Sequence, residues 1–256
     1  MNLTPLPQRS TRVFAPATIA RRAGHVLPPF RFASYGPPMR WRGPRGRANR
    51  LGIALGVAYL LGTVSTADIV VRRTSGPDLR SNGSGNPGAA NALKVLGPKA
   101  GLAVMAGDIG KGVAACTIGG VLAGPTGAHL AGSAAVAGHC YPVNNGFRGG
   151  KGVATSVGQC LATFPAYFPI DLGVAAATAA APAWKQRAFA ATLVSSGCWV
   201  LGGVVWWAKG WRNLWGPKPT AMLPISALLS SVIIAERFIA AGNPAEARLA
   251  IAEAGA

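Results

Sequence analysis

Two glycine-rich stretches hold most of the polar side chains in this chain that are equipped for chemistry. The first is Gly83-Ser84-Gly85-Asn86-Pro87-Gly88-Ala89-Ala90-Asn91. Glycine tolerates φ > 0 and close backbone approach, so successive N–H groups can line one concavity and hold an anion. Ser84, Asn86 and Asn91 add neutral hydrogen-bonding groups, and Lys94 adds a cation just beyond. The stretch formally contains GxGxxG, but the dinucleotide fingerprint needs a preceding strand, and an apolar span precedes this one. A plain polar turn explains the Gly and Pro residues, but not three amide or hydroxyl side chains beside a lysine.

The second stretch runs from Gly138-His139-Cys140-Tyr141-Pro142 to Phe147-Arg148-Gly149-Gly150-Lys151-Gly152-Val153-Ala154-Thr155. It is not a Walker A loop, because Asn145 stands at the first glycine and Gly152 at the Ser or Thr that holds magnesium. Gly149, Gly150 and Gly152 surround Lys151 just ahead of an apolar helix, whose N-terminal N–H groups and dipole favour phosphate. The same cations can serve only to orient the chain, and His139 alone suits a hydrogen-bonded core histidine as well as a catalyst. Asp108 and Lys111 share a helix face three residues apart. Ionisable groups inside an apolar span pair with each other or line a polar cavity, so a structural ion pair and a substrate role both stay open.

The elements that must position these residues are membrane helices. Only 12% of the 256 residues are charged, against about 25% in a soluble domain. From Leu51 onward the charges cluster between long apolar stretches. Seven spans are expected at about 51–71, 101–121, 126–144, 152–168, 170–183, 188–208 and 221–241. The fifth is short for a bilayer crossing. Ala and Gly dominate the spans, which favours close helix contact. The stretch from Trp206-Trp207 to Trp211 and Trp215 suits a membrane edge. The expected fold is therefore all-α, a polytopic membrane bundle of about seven transmembrane helices.

Three parts are expected. Residues 1–50 hold ten Arg, many Pro and no Asp or Glu, and are expected to be disordered. Met39 is a candidate start. Residues 51–241 form the membrane domain, and 242–256 a short cytoplasmic tail. The net charge of +18 sits in residues 1–50 and between spans, where it reports topology and anionic lipid rather than nucleic acid. The loops after spans one, three and five hold Arg72, Arg73, Arg80, Lys94, Lys99, Arg148, Lys151, Lys185 and Arg187. Those after spans two, four and six hold only Lys209, Arg212 and Lys218. The first set is expected in the cytoplasm. The arginine-rich N-terminus would then lie outside, against the same rule, so that either the segment is not translated or it tucks inside by a different arrangement. Four scattered cysteines without a CxxC pair suggest no zinc or redox site.

The two stretches, with the spacing between them, resemble the first two signatures of the PlsY-type acyl-phosphate:glycerol-3-phosphate acyltransferase family. GSGNPGAAN with Lys94, Gly97, Gly101 and DIGKG at 108–112 follows the first signature, and GHCYPVNNGFRGGKGVAT at 138–155 follows the second. The likeness implies seven membrane helices in the cell membrane with the signature loops in the cytoplasm. It implies transfer of an acyl chain from acyl-phosphate to the 1-hydroxyl of glycerol 3-phosphate, giving lysophosphatidic acid for phospholipid biosynthesis, with no metal and no CoA thioester. It assigns Ser84, Asn86, His139 and Lys151 to catalysis. Gly83, Gly85, Gly88, Asn91, Lys94, Gly149, Gly150 and Gly152 are matched to substrate binding, and Asp108 and Lys111 join them as candidates. Lys94 stands where the family usually has Arg, which keeps the charge but loses the fork. The family's third signature, HxxNIxRL, finds Gly242 and Ala245 in place of its His and Asn when Arg248-Leu249 is set on its RL. An alternative is therefore a degenerate phosphate-binding, accessory or transport protein of the same fold.

Overall fold

A computed structural model describes residues 44–181 and 187–242. The N-terminal stretch through residue 43, Lys185 and the third-signature positions from residue 243 onward lie outside the described residues.

The described chain is helical. Helix α1 (Pro44–Thr63) begins inside the stretch expected to be disordered. The expected span at 51–71 lies within the apolar stretch Arg45–Thr74, but the helix is interrupted inside it. The backbone breaks at Val64, and Ser65 accepts a hydrogen bond from the Asp68 amide at 3.2 Å to cap a new helix, α2 (Thr66–Thr74). The amphipathic α3 (Ala89–Leu96) follows the first glycine loop.

Helix α4 (Pro98–Cys140) is 43 residues long. At a rise of about 1.5 Å per residue it is roughly twice as long as a hydrocarbon core is thick. It folds back on itself. Ala123 and Gly124 leave helical geometry, Gly124 with φ 68°, and Pro125 restarts the helix. A Cβ on Gly119 would strike the Gly127 carbonyl, and one on Gly132 would reach the Cys116 sulfur, contacts that a straight helix cannot make. The two halves are the second and third expected spans, and the hairpin brings Lys111 opposite His139.

Small residues set the distances between neighbouring helices. Gly62 and Gly138 seat α1 on the second half of α4, while Gly112 and Gly158 seat the first half on α5 (Val153–Thr163). The chain continues through α6 (Phe168–Ala180), α7 (Arg187–Lys209) and α8 (Met222–Gly242). A buried polar clasp ties α8 to α4 and α5, with Ser230 donating to Gln159 Oε1 at 2.7 Å and Ser133 to the Ser226 carbonyl at 2.9 Å. Four described helical stretches are long and apolar enough to cross a membrane: Arg45–Thr74, Pro98–Asn145, Ala188–Lys209 and Met222–Ala241. Helices α5 and α6 occupy the fourth and fifth expected spans but are only 11 and 13 residues long.

Candidate functional site

The fold-back of α4 assembles a polar network at the start of α2. Lys111 Nζ lies 2.9 Å from Asp108 Oδ1, donates to the Val64 carbonyl at 3.0 Å, and sits 2.7 Å from His139 Nδ1. Thr66 Oγ1 donates to Asp108 Oδ1 at 3.0 Å. Asp108 and Lys111 are buried, so each charge requires this pairing. The network also sets the histidine tautomer. An ammonium has donors and no acceptor, so His139 Nδ1 accepts and the ring proton sits on Nε2. Nε2 lies against Gly150, where any Cβ would collide with the ring.

Above the network is a cavity of about 180 Å³, lined by Ser65, Thr66, Arg72, Arg80, Pro87, Lys111, Asn144, Asn145, Gly149, Gly150 and His139 among others. Arg80 is held by Asp68 through a forked pair of 2.6 and 3.2 Å, which fixes one guanidinium in the wall. Arg72 lines the same wall from the last turn of α2. Asp68 also lines the wall, its carboxylate taken up by Arg80. Two arginines, a histidine N–H and neutral amides around so small a volume suit a phosphate group.

The first glycine loop closes on itself. Gly83 and Gly85 take φ of 65° and 70°. Asn91 is buried, and all its side-chain bonds stay local. Its Oδ1 accepts from the Ser84 amide at 2.9 Å, and its Nδ2 donates to the Leu79 and Asn82 carbonyls, each at 2.9 Å. The Gly85 and Gly88 amides donate to Asn82 and Asn86. The Ser84, Gly85 and Gly88 amides therefore serve the loop rather than an anion, while α3 starts at Gly88 without a side-chain cap. Ser84 and Lys94 are exposed and Asn86 is half-buried. From 83–91, Pro87 alone reaches the cavity wall.

The second loop is held from outside. The Gly149 and Gly150 amides donate to the carbonyls of Cys140 and His139, both at 3.1 Å. Their own carbonyls accept from Arg237 on α8, at 3.0 Å for Gly149 and 3.4 Å for Gly150. These two glycines thus supply close packing, since a side chain at Gly149 would strike the His139 carbonyl. Gly152, with φ 82°, opens α5 without a side-chain cap, which leaves the helix start suited to an anion. Lys151 Nζ lies 4.2 Å from the Phe238 ring centre. Burial first, and then the neighbouring Arg237 charge, hold its ammonium below the ordinary lysine range.

Among the residues singled out from sequence, Asp108, Lys111, His139, Gly149 and Gly150 come together. Ser84, Asn86, Lys94 and Lys151 stand off the cavity wall. The sequence reading missed Thr66, Arg72, Arg80 and Arg237. The Ser65–Asp68 spacing, a helix-start signal, marks the break that presents the first three. Nothing local marks Arg237.

The profile of the family described as "Glycerol-3-phosphate acyltransferase" matches residues 52–240. The chain belongs to that family. It is 49% identical over 118 residues to the glycerol-3-phosphate acyltransferase of Thermoanaerobacter sp. (strain X514), covering 46% of this chain and 60% of the relative. Against the enzyme of Desulforudis audaxviator (strain MP104C) it is 38% identical over 167 residues, covering 63% and 80%. Several of the relatives it matches are thus spanned over only 56–60% of their length. Among solved structures it is similar to PlsY (YgiH), an integral membrane glycerol 3-phosphate acyltransferase. The glycerol 3-phosphate form gives a TM-score of 0.60 at 29% identity, covering 74% of this chain and 88% of PlsY. The lysophosphatidic acid form gives 0.58 at 28% identity, covering 73% and 87%.

Proposed function

We propose that this member of the family is a multi-pass enzyme of the cell membrane. It transfers an acyl chain from acyl-phosphate to the 1-hydroxyl of glycerol 3-phosphate and forms lysophosphatidic acid. The observation that carries this reading is the cavity in which Arg72, Arg80 and His139 meet Pro87 of the first glycine loop and Gly149 and Gly150 of the second. The glycerol hydroxyl oxygen attacks the acyl carbonyl, the acyl–phosphate C–O bond breaks, and the departing phosphate takes up the hydroxyl proton. Acyl-phosphate is already an activated anhydride, so the protein orients the hydroxyl and stabilises developing negative charge.

Arg72 and Arg80 hold the acceptor phosphate. His139, with its proton on Nε2, acts as a hydrogen-bond donor to developing charge rather than as a base. Lys111 and Asp108 fix that tautomer and so position the histidine, and Lys111 also lines the cavity. Lys151 and the start of α5 receive the second phosphate, and Ser84 and Asn86 orient substrate at the rim. Asn91 shapes their loop.

Purified protein, supplied with acyl-phosphate and labelled glycerol 3-phosphate, should form labelled lysophosphatidic acid, and acyl-CoA should not replace the donor. Glycerol 3-phosphate binding without product would instead mark a phosphate-binding protein of the same fold.

The nine-to-three excess of basic residues supports cytoplasmic signature loops. Exposed single cysteines at Ser81 and Val143 should react with an impermeant thiol reagent only after the membrane is opened. Labelling in intact cells would reverse the orientation.

A further inference from the structure

We propose that Arg237 is a positioning residue for the Gly149–Gly152 loop, so that the end of α8 sets the geometry of the phosphate site at Lys151 and the start of α5. The inference rests on the phosphate-binding role proposed above for that loop. Arg237 donates from Nη2 to the Gly149 carbonyl at 3.0 Å and from Nε to the Gly150 carbonyl at 3.4 Å. Its guanidinium lies 5.2 Å from the Tyr141 ring centre. Tyr59 in turn donates to the Tyr141 carbonyl at 2.7 Å. The arginine is thus braced against the end of α4 while it grips two successive peptide groups.

That grip has a directional consequence. A trans peptide is planar, with its C=O and N–H pointing in opposite directions. Fixing the Gly149 carbonyl therefore fixes the Gly150 N–H, which donates to the His139 carbonyl. Fixing the Gly150 carbonyl aims the Lys151 N–H away from Arg237. Gly152 then turns into α5, whose first N–H groups have no side-chain cap. The adjacent Phe238 seats the Lys151 ammonium at 4.2 Å. Consecutive residues of α8 thus fix both the backbone and the side chain of the loop. Gly242 and Ala245 stand where the third signature has its His and Asn; among the described residues, Arg237 and Phe238 make the polar and cation–π contacts from α8 to this loop, and Ile234 packs beside Gly152.

The test compares the full-length wild type with Arg237→Gln and Arg237→Lys. It measures steady-state kinetics with both substrates, equilibrium binding of glycerol 3-phosphate and inorganic phosphate, and amide exchange across 147–156. Arg237→Gln should weaken inorganic phosphate binding and raise the KM for acyl-phosphate about tenfold, the scale of one charge-assisted hydrogen bond. It should change kcat less and speed exchange at 149–153. Arg237→Lys keeps one donor to a carbonyl and should recover part of the affinity. Unchanged binding and exchange in Arg237→Gln would overturn the proposal, as would a fall in kcat with KM unmoved. Should the wild type form no product, the acyltransferase reading fails on its own, and binding and exchange still decide the role of Arg237.

Discussion

The two glycine loops are similar in composition and opposite in construction. The loop at 83–91 uses its glycines for conformation, with Gly83 and Gly85 at positive φ, and takes its bonds from within. In the loop at 149–152, Gly149 and Gly150 are there for closeness, and its bonds come from the end of α4 and from α8. A self-closed loop tolerates movement of its surroundings. A loop clamped from two helices reports their arrangement, so remote changes should reach the second loop and spare the first.

The contrast breaks most readily at Asn91. Asn91→Ala removes three hydrogen bonds inside a buried turn, and the loss should be about 2–4 kcal/mol. Amide exchange at 79–88 should rise sharply while 149–152 stays protected. Equal loss of protection in both loops would mean that they form one unit.

Lys151→Ala should have a smaller and different effect. It deletes a cation without touching the bonds that hold the loop, so exchange at 149–152 should be unchanged. Affinity for the acyl-phosphate donor, whose phosphate Lys151 is proposed to receive, should fall by roughly 1.5–3 kcal/mol, the scale of a hydrogen bond to a charged group. Full affinity in this variant would leave Lys151 as a topological signal only.

Much of this architecture is legible in the sequence because it rests on local rules. The break in α4 is written as Gly124-Pro125, the pairing of Asp108 and Lys111 as an i, i+3 spacing, and the loops as glycine runs. Partnerships across the fold leave no such trace. His139 reaches Lys111 only because the α4 hairpin closes near its midpoint, and Arg237 meets Gly149 from another helix. The purpose of Gly149 and Gly150 was also hidden, because a glycine needed for contact and one needed for φ look alike in a sequence. The interruption inside the first span is hidden for a related reason. Apolar residues continue across Val64, and the polar cap at Ser65 overrides them.

The central claim is that the cavity beside His139 receives the acceptor phosphate. Asn144 lines that cavity and is exposed. With Cys198 replaced by Ala, Asn144→Cys should react readily with a small thiol reagent. Saturating glycerol 3-phosphate should slow that reaction several-fold while glycerol leaves it unchanged. An alkylation rate that glycerol 3-phosphate does not alter would place the acceptor elsewhere and contradict the account.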